Sequence, residues 1–380
     1  MKIAYVTTYD SSDVHAWSGL GSYILRSLQD VGIQTESIGN LREGNIWALQ
    51  SRLKKIYYKL QSRQYLRDRE TGLLKYYAAQ VTKRIAPLHP DIVFSAGTIP
   101  IAYLQTEQPI VFWTGSTFAG MINFYPEFTN LCSETIQNGN KMEQLALSRC
   151  RLAIYSSEWA ANSAIHNYDV DPAKVKVVPY GANMNNDRDL NEIDKIIDKK
   201  DFDTCKLLFV GVDWHRKGGN KALTVAELLN KRGLRTELHI VGCTPPFSPP
   251  PFVKNHGFIS KKTEEGRKHL EQLFSDSHFL ILPSQAECFG VVFAEASSFG
   301  LPSLATKVGG IPTAIQDGKN GWTFHIDETP EKYCDYIERF MISKDDYRGL
   351  ALTCFQEYSE RLNWHSVGTK VYDLMQEFCG

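Results

Sequence analysis

Two series of short apolar segments constrain the fold of this chain more than any other feature. In the first half, the segments typical of strands are Lys2–Thr8, Asp91–Ala96, Pro109–Thr114, Leu152–Ser156 and Lys174–Pro179. In the second half, they are Cys205–Val210, Arg235–Val241, His278–Leu282, Leu301–Thr306 and Gly321–Phe324. Strands that alternate with helical segments favour parallel sheets covered by helices on both faces. We therefore predict an α/β protein with two doubly wound, Rossmann-like domains that face a central cleft.

A polar stretch separates the two series. Between Asn183 and Thr204 the sequence is rich in Asp, Asn and Lys and poor in large apolar residues, which is typical of a linker. We predict an N-terminal domain at 1–185, a linker at 186–203, a second domain at 204–358 and a C-terminal helix at 359–380 that crosses back to the first domain. A ligand is then expected in the cleft between the domains.

Charge and cysteine usage exclude several classes of function. The 42 Lys and Arg residues balance 43 Asp and Glu, so no global electrostatic case for nucleic acid exists. The eight cysteines form no C-x2-C pair and no histidine cluster has zinc spacing, so we expect reduced structural thiols, no metal and no cofactor. The N-terminal apolar stretch is too short for a signal peptide and no run reaches a membrane span. We expect a cytoplasmic protein.

One segment could contact a membrane surface. Between Arg52 and Arg69, basic residues are interleaved with Tyr and Leu, a pattern typical of a basic amphipathic helix on an anionic lipid surface at the inner face of the membrane. A solvated helix face on the first domain explains the same pattern, and both alternatives stay open.

Two glutamates follow the apolar segment His278–Leu282. Glu287 lies in a glycine-containing turn, and Glu295 lies about two helical turns further on. A strand, a turn and a helix in this order place backbone N–H groups at the helix start, where an anion can bind. The pair can therefore hold two ends of a ligand that carries phosphate and hydroxyl groups.

Three other loops have compositions that suit the same ligand. Arg216 and Lys217 follow Gly211 in a loop between a strand and a helix, which suits a diphosphate but matches neither Walker A nor G-x-G-x-x-G. Gly309-Gly310 and the Gly19-Leu20-Gly21 loop allow close approach of a ligand to the backbone. Solvated cations and plain tight turns explain these loops as well.

Together, these segments resemble the retaining glycosyltransferases of the GT-B architecture, and most closely glycosyltransferase family 4. The most specific part runs E-C-F-G-V-V-F-A-E-A-S-S-F-G-L-P-S-L-A-T-K-V-G-G-I-P from Glu287 and ends in the D-G-K-N-G-W of Asp317–Trp322. Tyr155–Glu158 and Val177–Ala182 are similar to strand ends that precede the family's linker. The resemblance covers nearly the whole chain.

The resemblance implies roles for the charged residues. Glu295 would accept hydrogen bonds from the ribose hydroxyls of a nucleotide sugar, and Glu287 would lie beside the donor sugar. Lys217 and Arg216 would neutralise the diphosphate leaving group, since no metal motif is present. Backbone groups complete the implied donor site, with the base near Phe258 and Ile259; the other positions are Gly211, Phe289, Gly290, Val291, Val292, Gly19 and Gly21.

Two departures from the family pattern bear on mechanism. The family usually has Arg directly after the strand-end glycine, and here that residue is Val212. The first-domain loop Phe112–Phe118 contains no titratable group, so the acceptor proton would pass to a donor phosphate oxygen or, alternatively, to His15.

The resemblance implies transfer of a hexose, glucose-type by preference, from a UDP-sugar to a glycan or lipid-linked glycan in polysaccharide synthesis. The alternative is a catalytically weakened subunit that binds a nucleotide sugar or glycan for a larger assembly. A third alternative, a sugar epimerase, would not need a lysine placed to receive a leaving diphosphate together with both glutamates.

Overall fold

The computed structural model describes residues 1–13, 16–184 and 188–379. The chain divides into two compact units. Unit 1 contains Met1–Pro179 and the C-terminal residues from Trp364 onward, and unit 2 contains Tyr180–Asn363. None of the helices in the described ranges is long and apolar enough to cross a bilayer.

Unit 1 is built on a six-stranded parallel sheet. Its strands are β1 (Lys2–Val6), β2 (Gln34–Ile38), β3 (Ile92–Ser95), β4 (Ile110–Thr114), β5 (Cys150–Tyr155) and β6 (Val175–Val177). Their order across the sheet is β2-β1-β3-β4-β5-β6. β3 and β4 are buried along their whole length, as expected of central strands covered on both faces.

Helices pack around this sheet. They are α1 (Leu20–Asp30), α2 (Asn45–Leu60), α3 (Thr71–Ile85), α4 (Phe118–Met121), α5 (Ser133–Arg149) and α6 (Glu158–Asn167). The basic segment predicted at 52–69 is only partly helical, because α2 begins earlier and ends at Leu60. Ser62 then has a left-handed φ of 56°, and Arg67–Arg69 form a separate 3-10 turn.

Unit 2 repeats the architecture with a second parallel sheet. Its strands are β7 (Cys205–Val210), β8 (Thr236–Val241), β9 (Val253–Asn255), β10 (Phe279–Leu282), β11 (Ser303–Thr306) and β12 (Gly321–Phe324). The order across this sheet is β12-β11-β10-β7-β8-β9. The predicted pair of doubly wound parallel sheets is confirmed.

The helices of unit 2 lie on this sheet. They are α7 (Leu190–Asp198), α8 (Gly219–Lys231), α9 (Glu264–Asp276), α10 (Val291–Ser297), α11 (Ile311–Ala314), α12 (Pro330–Ile342) and α13 (Lys344–Glu357). A π-helical turn, Tyr358–Leu362, follows α13.

The structure corrects the linker predicted at 186–203. Half of that segment is α7, which starts with a capping box between Asp189 and Glu192 and buries Ile193 and Ile197. This helix packs on α13 and belongs to unit 2. The polar composition concealed the helix because only three isoleucines, at 193, 196 and 197, supply its apolar side.

The C-terminal helix α14 (Trp364–Cys379) is grouped with unit 1 and begins five residues later than the predicted 359. It packs against α1, where a Cβ at Gly368 would lie 2.6 Å from the Ser27 carbonyl oxygen. The absence of a side chain at Gly368 therefore lets the two helix backbones come close together.

Candidate functional site

The charged residues singled out in the second half of the sequence lie at the switch point of the unit 2 sheet. β7 and β10 are neighbours in the sheet, although β8 and β9 come between them in the chain. The loops that follow two such strands leave a crevice at the carboxyl edge, where α/β proteins place their ligands. Arg216 and Lys217 follow β7, and Glu287 follows β10.

A glycine lets these two loops touch. Gly218 precedes α8 with a φ of 78°, and a Cβ at this position would lie only 2.0 Å from the Pro283 carbonyl oxygen. The backbone N–H of Gln285 also donates to the Arg216 carbonyl oxygen at 2.8 Å. Backbone contacts therefore determine the distance between the loops, independently of the charged side chains.

Three charged side chains meet where the loops touch. Lys217 Nζ forms an ion pair with Glu287 Oε2, and Arg216 Nη1 lies 3.5 Å from the same oxygen. Arg216 Nη1 also donates to the Ala286 carbonyl oxygen at 3.0 Å. The Lys217 and Glu287 side chains are only 11% and 12% exposed, so water screens their charges weakly.

The local charge suits an incoming anion. Two cations face the single carboxylate of Glu287, and Asp213 partly offsets them at 3.8 Å from Arg216 Nε. A diphosphate could replace the carboxylate as the partner of both cations through charge-assisted hydrogen bonds. This arrangement can stabilise negative charge that develops on a leaving group.

The second glutamate has a different partner. Glu295 lies on α10, its side chain is 5% exposed, and Oε1 is 2.5 Å from Lys261 Nζ. Lys261 also lies 3.5 Å from the Asn183 carbonyl oxygen. A buried carboxylate is stable when it is paired in this way. Lys261 was not among the predicted site residues, although the Lys261-Lys262 pair two residues after Ile259 was a usable signal.

The turn between the glutamates is shaped by aromatic packing. Phe289 is buried and its ring lies edge-on to Tyr180, with ring centroids 5.5 Å apart. Gly290 caps α10 with a φ of 84°, and a Cβ there would lie 2.4 Å from the Phe293 ring. Val291 and Val292, both half-buried, form the first turn of α10 beside Glu287.

The loop after β11 supports the same turn. The Gly310 amide donates to the Glu287 carbonyl oxygen at 3.0 Å, so the Gly309-Gly310 segment lies directly against Glu287. Asn320, in the D-G-K-N-G-W segment, is fully buried and donates to the Ala314 carbonyl oxygen at 2.9 Å and to Ser297 Oγ at 3.2 Å. It joins α10 and α11 and has a structural role.

The segment predicted to lie near a base follows β9. Phe258 is exposed and Ile259 is half-buried, whereas the His256 ring before them stacks on His239 with centroids 5.3 Å apart. Burial lowers the pKa of His239 and of His256. Gly211, at the end of β7, donates to the Val241 carbonyl oxygen, and Val212 after it is exposed.

The remaining predicted residues belong to unit 1. Gly19, with a φ of 82°, precedes α1, and a Cβ at Gly21 would lie 2.3 Å from Tyr9 Oη. Both follow β1, which is a neighbour of β3 at the switch point of the unit 1 sheet. His15 lies outside the described residues. Within the described ranges, no group of His, Cys, Asp and Glu is arranged to hold a metal ion.

A family model matches the part of the chain that carries this site. Residues 191–351 match the family described as "Glycosyl transferases group 1". Unit 2 therefore carries a glycosyl transferases group 1 domain. The matched range includes Lys217, Lys261 and both glutamates. The match agrees with the predicted transferase class.

A relative that is similar over more of the chain agrees with this match. A D-inositol 3-phosphate glycosyltransferase from Corynebacterium efficiens is 26% identical over 254 residues, which are 62% of this chain and 58% of that protein. The chain thus spans less than two thirds of that relative's length.

Solved structures extend the likeness to both units. Sucrose-phosphate synthase from Thermosynechococcus elongatus has a TM-score of 0.69 at 15% identity, covering 99% of this chain and 98% of that one. Anabaena HepE in complex with UDP and glucose has a TM-score of 0.63 at 15% identity, covering 99% of this chain and all of that one (100%). At such identities the likeness concerns the fold, and the predicted GT-B architecture is confirmed.

Proposed function

We propose that this protein is a retaining glycosyltransferase. It moves a hexose, glucose-type by preference, from a UDP-sugar to a glycan or lipid-linked glycan in polysaccharide synthesis. The observation that carries the proposal is the convergence of Lys217 and Arg216 on Glu287 at the switch point of unit 2. The glycosyl transferases group 1 domain and the UDP and glucose bound to a protein of the same fold support it.

The two cations bind the diphosphate of the donor. As the sugar leaves, negative charge grows on the phosphate oxygens, and Lys217 and Arg216 neutralise it. Such pre-positioned charges act strongly in a site that water enters little. Glu287 holds the cations in place before the donor binds and lies beside the sugar afterwards, near the positive charge that develops at the anomeric carbon.

Glu295 binds the nucleoside. Its carboxylate accepts hydrogen bonds from the ribose hydroxyls, and the ion pair with Lys261 orients the carboxylate. Because the carboxylate is buried and Lys261 is the more exposed partner, the lysine has room to move when the donor enters. The backbone of the Phe258-Ile259 segment contacts the base, and the backbone of Gly211 contacts the donor from the neighbouring strand.

Retention follows from attack on the face that the diphosphate leaves. The acceptor oxygen forms a bond to the anomeric carbon as the bond from that carbon to the β-phosphate oxygen breaks. The acceptor proton passes to a phosphate oxygen of the departing UDP, because Phe112–Phe118 contains no titratable side chain. The products are UDP and an α-linked glycoside.

A donor panel tests the proposal. The purified protein is incubated with UDP-, GDP- and ADP-hexoses, with and without glycan or lipid-linked acceptors, and released nucleotide and the anomeric configuration of the product are measured. We expect release of UDP and an α product. Tight UDP binding without turnover of any donor would refute the proposed glycosyltransferase activity and would favour a nucleotide-sugar-binding subunit.

Matched variants locate the chemistry. Glu287→Gln should lower kcat by roughly 100-fold or more, since a charge positioned at the reacting centre is lost. Glu264→Gln is the control, because Glu264 is an exposed partner of Lys268 in the same unit. Equal turnover by the Glu287→Gln variant and the wild type would remove Glu287 from the reacting centre.

A further inference from the structure

The helix α2 is attached to unit 1 by a face that is aromatic and polar. Trp47 packs so closely on α3 that a Cβ at Gly72 would lie 2.1 Å from its ring. Lys54 forms ion pairs with Glu70 at 2.8 Å and Glu134 at 2.5 Å, and Tyr58 Oη donates to Glu134 at 2.9 Å. These contacts fix which side of the helix points away from the protein.

The opposite face is apolar and open to solvent. Large side chains there are between 57% and 83% exposed: Ile46, Leu49, Leu53, Ile56, Tyr57 and Leu60. The positions 46, 49, 53, 56 and 60 recur at helical spacing and form one stripe along the helix. A surface helix normally buries its apolar side, and an exposed apolar patch that is continuous marks a site of interaction.

Positive charge borders the apolar stripe. Arg52, Lys55 and Lys59 are exposed, and at about 3.6 residues per turn they lie side by side along one flank of it. The sequence Asn45–Leu60 contains no acidic residue. The exposed surface of α2 therefore combines an apolar stripe with a row of cations, both pointing away from the contacts of Lys54 and Tyr58.

We propose that α2 docks this protein on an anionic phospholipid surface, with the stripe buried among the headgroups and upper acyl chains and Arg52, Lys55 and Lys59 paired with lipid phosphates. Apolar area and cations on one helix surface are the two components of interfacial binding. A second copy of the chain fits this surface less well, because it would bring two rows of cations together without an acidic partner.

Vesicle sedimentation tests the proposal with the full chain. The probes are vesicles of phosphatidylcholine with an equal part of phosphatidylglycerol and vesicles of phosphatidylcholine alone, at low and high salt. We expect binding to the anionic vesicles that falls with salt. Binding that is indifferent to both anionic lipid and salt would overturn the proposal.

Two variants separate the components. Leu53→Ser/Ile56→Ser and Lys55→Gln/Lys59→Gln should each weaken binding to anionic vesicles at least about tenfold. The controls are Ile342→Ser, which changes a side chain that is 85% exposed in unit 2, and Lys268→Gln. Unchanged binding by the Leu53→Ser/Ile56→Ser variant, with its circular dichroism as in the wild type, would overturn the proposal.

Sedimentation velocity without vesicles tests whether a second copy of the chain covers the apolar stripe instead of lipid. The wild type should remain at one mass as its concentration rises. A wild-type dimer that dissociates on Leu53→Ser/Ile56→Ser substitution would assign the stripe to a second copy instead. UDP binding should be equal in all these variants, so failure of the membrane proposal is distinguishable from failure of the proposed donor site.

Discussion

Glu287 and Glu295 are eight positions apart, and they pair with different basic residues. Glu287 shares its carboxylate between Lys217 and Arg216, whereas Glu295 pairs with Lys261. Removal of one partner from a buried ion pair leaves the other charge uncompensated. Variants in this site should therefore be compared for stability as well as for activity.

Another carboxyl, Glu143 in unit 1, makes stability depend on pH. It is buried on α5 and accepts a hydrogen bond from Thr98 Oγ1 at 2.9 Å, and burial raises its pKa from 4.5 to about 7. Below pH 4.5 the carboxyl is neutral in the folded and the unfolded state. As the pH rises from 4.5 to about 7, the unfolded state loses its proton first, so the folded state loses stability.

Glu143→Gln should remove this dependence. Relative to the wild type, the variant should gain up to about 3 kcal/mol between pH 4.5 and 7. The measurement is urea unfolding at a series of pH values, with the exposed Glu127→Gln as the control. Parallel pH profiles for Glu143→Gln and the wild type would contradict the assignment.

At the residue scale, sequence reasoning found the residues that follow the strands. Lys217 and Glu287 could be predicted to meet because each follows an apolar strand of a parallel sheet. The Lys261-Lys262 pair indicated a cation in this region, but its contact with Glu295 could not be predicted, because that contact depends on the path of the loop after β9, which no periodicity encodes. The contacts of Asn320 could not be predicted either, because they depend on the path of the loop before β12.

At the element scale, Gly218 lets the loop after β7 contact the loop after β10. Gly218→Ala should cost about 2–4 kcal/mol of unfolding free energy, because a Cβ would meet the Pro283 carbonyl oxygen in addition to the strain of a positive φ. Gly233→Ala is the matched control, since Gly233 also has a positive φ but nothing lies within 4 Å of a Cβ there. The Gly233→Ala substitution should lower the unfolding free energy by only about 1 kcal/mol.

The same pair of variants has a functional readout. Gly218→Ala should also weaken UDP binding, because it separates the loops that carry Lys217 and Glu287, whereas Gly233→Ala should leave binding unchanged. Thermal unfolding and UDP titration measure the two effects. Equal costs for both variants would show that contact between the loops contributes nothing.

At the element scale, burial decided what could be predicted. All strands found from sequence carry apolar runs, but β2 (Gln34–Ile38) and β9 (Val253–Asn255) were missed. Both lie at sheet edges, where one side of the backbone has no neighbour and polar residues are tolerated. The bounds of α2 were misjudged because the pattern of basic, Tyr and Leu residues continues beyond Leu60, where the helix ends and Ser62 has a left-handed φ.

At the scale of the whole molecule, two sheets of the same architecture account for most of the chain, and α14 returns to unit 1. Met375 on this helix is fully buried, whereas its neighbour Gln376 is exposed. Met375→Ala should therefore lower the unfolding free energy of unit 1 by about 2–5 kcal/mol, whereas Gln376→Ala should change it by less than about 0.5 kcal/mol.

Guanidinium unfolding followed by circular dichroism measures this difference. A Met375→Ala variant as stable as Gln376→Ala would mean that α14 contributes no core to unit 1. The grouping of α14 with unit 1 followed from packing against α1, which the amphipathic sequence of the helix by itself does not specify.

The central claim is that Lys217, Arg216 and Glu295 form the binding site of a UDP-sugar. Calorimetric titration with UDP tests it most directly, in the wild type, in Lys217→Ala and Glu295→Ala variants, and in Lys268→Ala as the control. We predict one UDP per chain in the wild type and in the control. Each site variant should bind at least about tenfold more weakly, the loss expected for one charge-assisted hydrogen bond. UDP binding of wild-type strength in both site variants, or its absence from the wild type, would contradict the account.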